Sequence, residues 1–228
     1  MNDDLLHEDE ADLTIFPPPV RRTPCELYLI SPQEVGGGFP DRLKAALSGG
    51  PVAAFQLRVK DVDPHELARL AEPLQRICAD AEVAFIVNDS VSLAKRLGAD
   101  GVHLGQSDGD ARDARSILGP SVQIGVTCHD SRHLAMDAGE KGADYVAFGA
   151  FYETMTKPSH YRPQPQLLSW WASLFEIPCV AIGGITPDNA APLVTAGADF
   201  IAVCNAVWGE TDPAVAVARF DKLFAERG

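Results

Sequence analysis

From Cys25 onward, apolar runs of five or six residues alternate with longer amphipathic stretches. The runs occupy 25–30, 52–57, 83–88, 100–104, 122–127, 144–149, 178–182 and 199–203. Several are apolar at successive positions rather than at alternate ones, the pattern of strands covered on both faces in a parallel sheet. Between them lie segments 40–48, 64–80, 90–98, 110–118, 130–141, 165–175, 187–196 and 212–226. In the second of these, Leu67, Leu70, Leu74 and Ile77 recur at helical spacing. Asp63, Ser90, Asp130 and Thr186 stand where N-caps belong, with Pro64 and Pro187 at first helical positions.

Eight strand–helix units in sequence predict a compact (β/α)8 TIM barrel. A doubly wound open sheet is the alternative, and it would have to hold eight strands without closing. Gly-Ala-Asp recurs at 98–100, 142–144 and 197–199, each time where a helix turns into a strand. It reads as turn chemistry, with Gly at the helix C-terminus. Residues 1–24 differ from the rest. They are acidic, then carry Pro17-Pro18-Pro19 and Arg21-Arg22, and read as a disordered N-terminal extension. Residues 25–228 then form a single barrel domain.

In such barrels the chemistry sits at the C-terminal ends of the strands. That rule selects Gln56, Arg58 and Lys60 after strand 2, Asn88 and Asp89 after strand 3, and Asp108 after strand 4. It also selects Thr127 and His129 on strand 5, Thr154, Thr156 and Lys157 after strand 6, Gly183-Gly184 after strand 7, and Cys204-Asn205 after strand 8. Parallel neighbours bring Asp89 and Asp108 to the same end of the sheet. Two carboxylates there suit Mg2+, held jointly with phosphate oxygens of a substrate. Arg58 offers a bidentate fork for phosphate and Lys60 a point charge. Two hydroxyls and an ammonium in Thr154–Lys157 can grip an anion, and loops after strands 7 and 8 commonly bind phosphate through backbone N–H groups. Each residue also has a plainer reading: a helix cap for Asp89, a loop carboxylate for Asp108, solvated cations for Arg58 and Lys60, a tight turn for Gly183-Gly184. His103, inside strand 4, reads as a packed, hydrogen-bonded core histidine, and Trp170-Trp171 as helix packing outside the barrel.

Composition narrows the function classes. The 228 residues are 46% hydrophobic and 22% charged, ordinary for a globular domain. With a net charge of −13 there is no basic surplus to neutralise nucleic-acid phosphates. The five cysteines show no CxxC spacing, so neither a zinc site nor a disulfide framework is expected, and a reduced cytoplasmic setting fits. No apolar run approaches the length of a membrane span, and the acidic start is unlike a signal peptide.

The ordered motifs resemble the thiamine phosphate synthase family, over about residues 25 to 210. The likeness is carried by QLRVK (56–60), FIVNDSVSLAKRLGADGVHLGQSD (85–108), IGVTCH (124–129), GADYVAFGAFYETMTK (142–157), PCVAIGGITPDNA (178–190) and GADFIAV (197–203). The resemblance implies a transferase that joins hydroxymethylpyrimidine diphosphate to hydroxyethylthiazole phosphate, releasing pyrophosphate through a pyrimidine-methyl cation. It implies that Gln56, Arg58, Lys60 and Asn88 bind the pyrimidine diphosphate, with Thr127 where the family usually has serine. Asp89 and Asp108 would hold Mg2+. Lys157 would contact diphosphate, and Thr154, Thr156, Gly184 and the Cys204-Asn205 backbone would serve the thiazole phosphate. Arg58, Lys60 and Lys157 would be the catalytic cations. The partners implied are these small molecules, and a homo-oligomer is compatible with the fold. Departures from the family pattern are Val59 for glutamate, Ala150 for a frequent proline, Tyr152-Glu153 for Phe-Pro, and Cys204-Asn205 for an Ile-Ser type pair. A TenI-like thiazole tautomerase and a non-catalytic regulatory barrel are the competing readings.

Overall fold

The computed structural model describes residues 23–154 and 160–227. Eight parallel strands close on themselves in chain order. They are β1 (Glu26–Ile30), β2 (Ala54–Leu57), β3 (Ala84–Asn88), β4 (Gly101–Leu104), β5 (Gln123–His129), β6 (Tyr145–Gly149), β7 (Cys179–Ile182) and β8 (Phe200–Val203). The open-sheet alternative is thereby excluded, since β1 pairs with β8 as well as β2. Helices α1 (Phe39–Leu47), α2 (Pro64–Asp80), α3 (Val91–Leu97), α4 (Ala111–Leu118), α5 (Arg132–Glu140), α6 (Gln166–Leu174), α7 (Ala191–Thr195), α8 (Asn205–Trp208) and α9 (Pro213–Arg227) follow the strands. No described helix is long and apolar enough to cross a membrane. The extension read over residues 1–24 lies almost wholly outside the described residues.

Two apolar clusters follow from alternation along each strand. The larger packs the outward side chains of the strands, such as Leu29, Phe55, Phe85, Val102, Ile124 and Phe148, against the helices. Trp171 belongs to it, fully buried, with its indole N–H on the Ile177 carbonyl at 2.7 Å. The smaller cluster fills the barrel interior with Tyr28, Ile30, Ala54, Ile86, Tyr145, Ala147, Val180 and Ala202. A Cβ on Gly125 would fall onto the Tyr145 ring. Glycine on β5 is therefore what admits an aromatic ring from β6 into the interior.

The caps partly follow the sequence. Asp63 accepts from the His65 and Glu66 amides, and Ser90 accepts from Leu93. The cap of α5 is Ser131 rather than Asp130, with its oxygen on the Leu134 amide. Thr186 caps no helix, and Pro187 is not a first helical residue. The Asn189 carboxamide accepts the Thr186 amide at 2.8 Å and donates to Gly184 O at 3.0 Å, closing a turn before α7 begins at Ala191. The four-residue α8 was not expected. It is pinned by the Trp208 indole on Ile30 O at 2.6 Å and by Arg42 on Trp208 O at 2.8 Å.

The Gly-Ala-Asp echo does more than turn the chain. Its glycines have positive φ of 60°, 88° and 104°. Its aspartates reach sideways: Asp100 accepts the Phe85 amide at 2.7 Å, Asp144 the Ile124 amide at 2.7 Å, and Asp199 the Cys179 amide at 2.8 Å. Each carboxylate thus clamps the start of the neighbouring strand, satisfying a backbone donor at the N-terminal rim. Arg115 reinforces the middle clamp, bonding Asp144 at 2.5 Å and Val122 O at 2.6 Å.

Two substitutions test this clamp. Asp199→Ala leaves the Cys179 amide without its carboxylate and is expected to cost about 1–3 kcal/mol. Asp144→Ala also strips Arg115 of its carboxylate partner and is expected to cost more. Urea unfolding midpoints at unchanged slope measure both; equal and negligible shifts would mean that the clamps carry no stability.

Candidate active site

The strand ends open into one cavity of about 540 Å3, within the range that holds small ligands. Its wall includes Gln56, Arg58, Lys60, Asn88, Asp89, Asp108, Thr127, Thr154, Gly183, Gly184, Cys204 and Asn205. The structure therefore brings together every sequence-predicted site residue that it describes. Thr156 and Lys157 lie outside the described residues.

Each position has a local cause. Arg58 and Lys60 extend past β2, and their amides are held by Ser31 Oγ at 2.9 Å and Gln33 Oε1 at 3.1 Å. Val59 between them packs toward the outer core, which is where strand alternation sends it. Asp89 adopts φ 64°, and its amide donates to His103 O at 2.8 Å. This left-handed residue ends β3 and turns the carboxylate over the cavity. Asp108 is fixed by the Gly105 amide, 3.0 Å from Oδ2. On the far side of the ring, Gly183 and Gly184 have φ of 102° and 64°. A Cβ on Gly183 would overlap Ala150, and one on Gly184 the Glu153 carbonyl oxygen. The loop after β6 therefore lies directly on the loop after β7. Tyr152 anchors it, donating its hydroxyl to Asn189 O at 2.7 Å.

The electrostatics centre on the two aspartates. Burial and the neighbouring Asp89 carboxylate raise the Asp108 pKa above the usual range. The Gly105 N–H and the Lys60 ammonium oppose this. Lys60 Nζ also pairs directly with Asp89 Oδ2. That pair is partly exposed, so screening makes it a weak source of stability. Crowded hard oxygen donors with an unfavourable like-charge contact fit a hard divalent cation, which two carboxylates bind with phosphate oxygens and waters completing the shell. Among the described residues no cluster of three or more His, Cys, Asp or Glu could hold a metal by itself, so any ion here needs ligands from elsewhere.

At the other edge, burial pushes the Cys204 thiol up to about 11, with Arg58 opposing. The thiol is neutral at physiological pH and adds no charge to this part of the cavity wall. His103 is buried and hydrogen-bonded, as its sequence context suggests, yet it also forms part of the cavity wall. Sequence reasoning left His129 unassigned and missed His160 and Tyr161, which line the cavity. His129 stacks on Tyr161 with ring centroids 4.2 Å apart. Its place at the end of an apolar strand was the available signal; Tyr161 offered none.

The closed barrel and a cavity ringed by phosphate-type donors at the strand C-termini define a phosphate-handling (β/α)8 enzyme. Comparison with known proteins narrows the class. A family model described as thiamine monophosphate synthase matches residues 27–207. Thiamine-phosphate synthase of Erythrobacter litoralis is 62% identical over 206 residues, covering 89% of this chain and 97% of that protein. The enzyme of Rhodospirillum centenum is 52% identical, with 88% and 98% covered. The solved thiamine phosphate pyrophosphorylase of Pyrococcus furiosus superposes with a TM-score of 0.79 at 32% identity, covering 88% of this chain and 96% of that one. The chain belongs to the thiamine monophosphate synthase family.

The crowding at Asp108 is open to test without any substrate. Asp108→Asn keeps an acceptor for the Gly105 amide and removes the charge. A carboxyl raised on folding is penalised once pH exceeds its unfolded value, and fully so above its folded value. The variant is therefore expected to match the parent in acid and to melt about 1–2 °C higher at neutral pH in the absence of divalent cations. Thermal denaturation from pH 4 to 7 measures it; a gain that is greatest in acid would contradict the like-charge account.

Proposed function

We propose that this chain condenses 4-amino-5-hydroxymethyl-2-methylpyrimidine diphosphate with hydroxyethylthiazole phosphate, yielding thiamine phosphate and pyrophosphate. The observation that carries this reading is the convergence of Arg58, Lys60 and the Asp89–Asp108 pair on one side of the cavity. The Gly183-Gly184 backbone, after β7, stands across the ring from β3, and the Cys204-Asn205 backbone follows on β8. One wall suits a diphosphate and the other a monophosphate. The relatives named above support the assignment.

In this reading the C–O bond between the pyrimidine methylene and the diphosphate breaks, and both electrons leave with the oxygen. The thiazole nitrogen then supplies its lone pair to the methylene cation, forming the new C–N bond. Mg2+, bound by Asp89 and Asp108 with substrate oxygens, would supply charge neutralisation for the leaving group. Arg58 and Lys60 add fixed positive charge where negative charge accumulates, a role that the family resemblance gives to Lys157 as well. Gln56 and Asn88 orient the pyrimidine, with Thr127 beside them. Thr154, Thr156 and the glycine backbone hold the thiazole phosphate. Glu153 also lines the cavity, a third acidic residue besides Asp89 and Asp108. The packed barrel interior below limits water access to the cation. Free, buried thiols such as Cys78 and Cys128, both pushed up to about 12 by burial, are inert and fit a reducing cytoplasm. A tautomerase or a purely binding barrel would leave the Lys60–Asp89–Asp108 group without a task.

Purified chain, both substrates and Mg2+ are expected to give thiamine phosphate, read by fluorescence after oxidation. Chelation should abolish the product. Asp89→Ala and Asp108→Ala should each lower kcat about 100-fold or more, the scale of losing one charge-stabilising group. Absence of product with competent substrates would overturn the synthase reading. Full activity in both alanine variants would overturn the metal assignment alone.

A further inference from the structure

A file of polar groups crosses the barrel interior beneath the cavity. The Tyr28 and Tyr145 hydroxyls are 3.0 Å apart. Tyr145 Oη lies 3.1 Å from His103 Nδ1, and His103 Nε2 lies 2.8 Å from Thr127 Oγ1. One end reaches the cavity wall at Thr127, and at the other the Gln56 side chain, which also lines the cavity, adjoins Tyr28. Gln56 is itself almost fully buried. The file is built into the packing, since Gly125 leaves the slot in which the Tyr145 ring sits. The Tyr145 ring also stacks on His103 with centroids 5.6 Å apart.

Such a file has two possible senses. In one, Tyr28 donates to Tyr145, and Tyr145 donates to His103 Nδ1. The proton of His103 is then on Nε2 and is donated to Thr127 Oγ1. The Thr127 hydroxyl hydrogen remains available. In the opposite sense Thr127 spends that hydrogen on His103 Nε2 and can only accept from a ligand. Donor strength favours the first. A neutral imidazole has one accepting nitrogen, and the Tyr145 and Thr127 hydroxyls face its two nitrogens. A phenol ionises far more readily than an aliphatic hydroxyl and is the stronger donor of the two, so Tyr145 takes the accepting nitrogen and the ring N–H falls to Thr127 Oγ1. With its hydrogen spent on His103, Tyr145 can only accept from Tyr28. Burial raises the pKa of both phenols, so each keeps the proton that it must donate.

We propose that Tyr28, Tyr145 and His103 are positioning residues, whose one-way hydrogen bonds hold the Thr127 hydroxyl as a donor into the cavity. A preset donor costs no reorganisation when negative charge develops on a leaving group. The Thr127 backbone is held as well, its carbonyl accepting from Gln106 Nε2 at 2.6 Å. The inference deepens the proposed synthase reaction, because it assigns Thr127 to the anion that leaves. Its first test nevertheless needs no turnover.

Nitrogen-15 spectra of histidine-labelled protein should show His103 as the neutral tautomer with hydrogen on Nε2 and a bare Nδ1. Tyr145→Phe keeps the ring that fills the Gly125 slot and removes the hydroxyl. It should convert His103 to a tautomer mixture, and Tyr28→Phe, one link further back, should do so more weakly. In calorimetry with inorganic pyrophosphate and Mg2+, Tyr145→Phe and Thr127→Ala are each expected to weaken binding about tenfold or more, the scale of a hydrogen bond to a charged group. Their double variant should be no weaker than Thr127→Ala alone, and Thr127→Ser should bind like the parent. Hydrogen on Nδ1 in the parent overturns the proposal. So does a Tyr145→Phe effect that persists in full when Thr127 is alanine. A parent that shows the stated tautomer but makes no thiamine phosphate would instead refute the synthase reading and leave the sense of the file established.

Discussion

Ring closure of eight strands is the constraint from which the rest follows. Once β8 pairs with β1, every strand has two partners and no edge is left. The interior is then a narrow space that inward side chains must fill without overlap. Small residues at Ala54, Gly125, Ala147 and Ala202 make room for Tyr28 and Tyr145. Two phenols placed there need hydrogen-bond partners, because an unpaired buried hydroxyl is costly. They find them in each other and in His103. The same closure carries all the strand C-termini to one rim, where charged groups distant in sequence meet around one cavity.

Much of this was legible in the sequence because burial on both faces writes continuous apolar runs. The eight runs predicted eight strands and, with the intervening helices, the barrel. The caps were legible where the cap residue directly precedes a strong helical period, as at Asp63 and Ser90. They failed where a side chain outside the pattern took over. Asn189 bridges the Thr186 amide and Gly184 O, and the chain turns there before α7 begins at Ala191. At α5 the serine one residue beyond Asp130 makes the cap. Helix α8 is too short to show a period, and long-range bonds from Trp208 to Ile30 O and from Arg42 to Trp208 O hold it instead.

The same division holds at the cavity. Asp89, Asp108, Arg58 and Gly183 stand just past apolar runs, so a rule about strand ends finds them. Tyr161 and His160 reach the cavity from a long connection, and nothing local marks them. His103 was read correctly as packed and hydrogen-bonded, yet only the fold shows that its partners are a tyrosine below and a wall threonine above. One linear motif, Gly-Ala-Asp, was visible three times. Which amide each aspartate would reach depends on strand pairing, which the motif does not contain.

Those three aspartates sit at the end of the barrel opposite the cavity. Closure is therefore secured at one pole and chemistry is carried at the other. Lengthening or replacing a loop at the cavity pole leaves all three clamps intact. A single insertion between Gly98 and Asp100, or at either of the other two repeats, shifts a carboxylate off the neighbouring strand and disturbs the alignment of two strands at once. The molecule is thus unequally tolerant of change from pole to pole, and variation that retunes the ligand can accumulate without loosening the barrel.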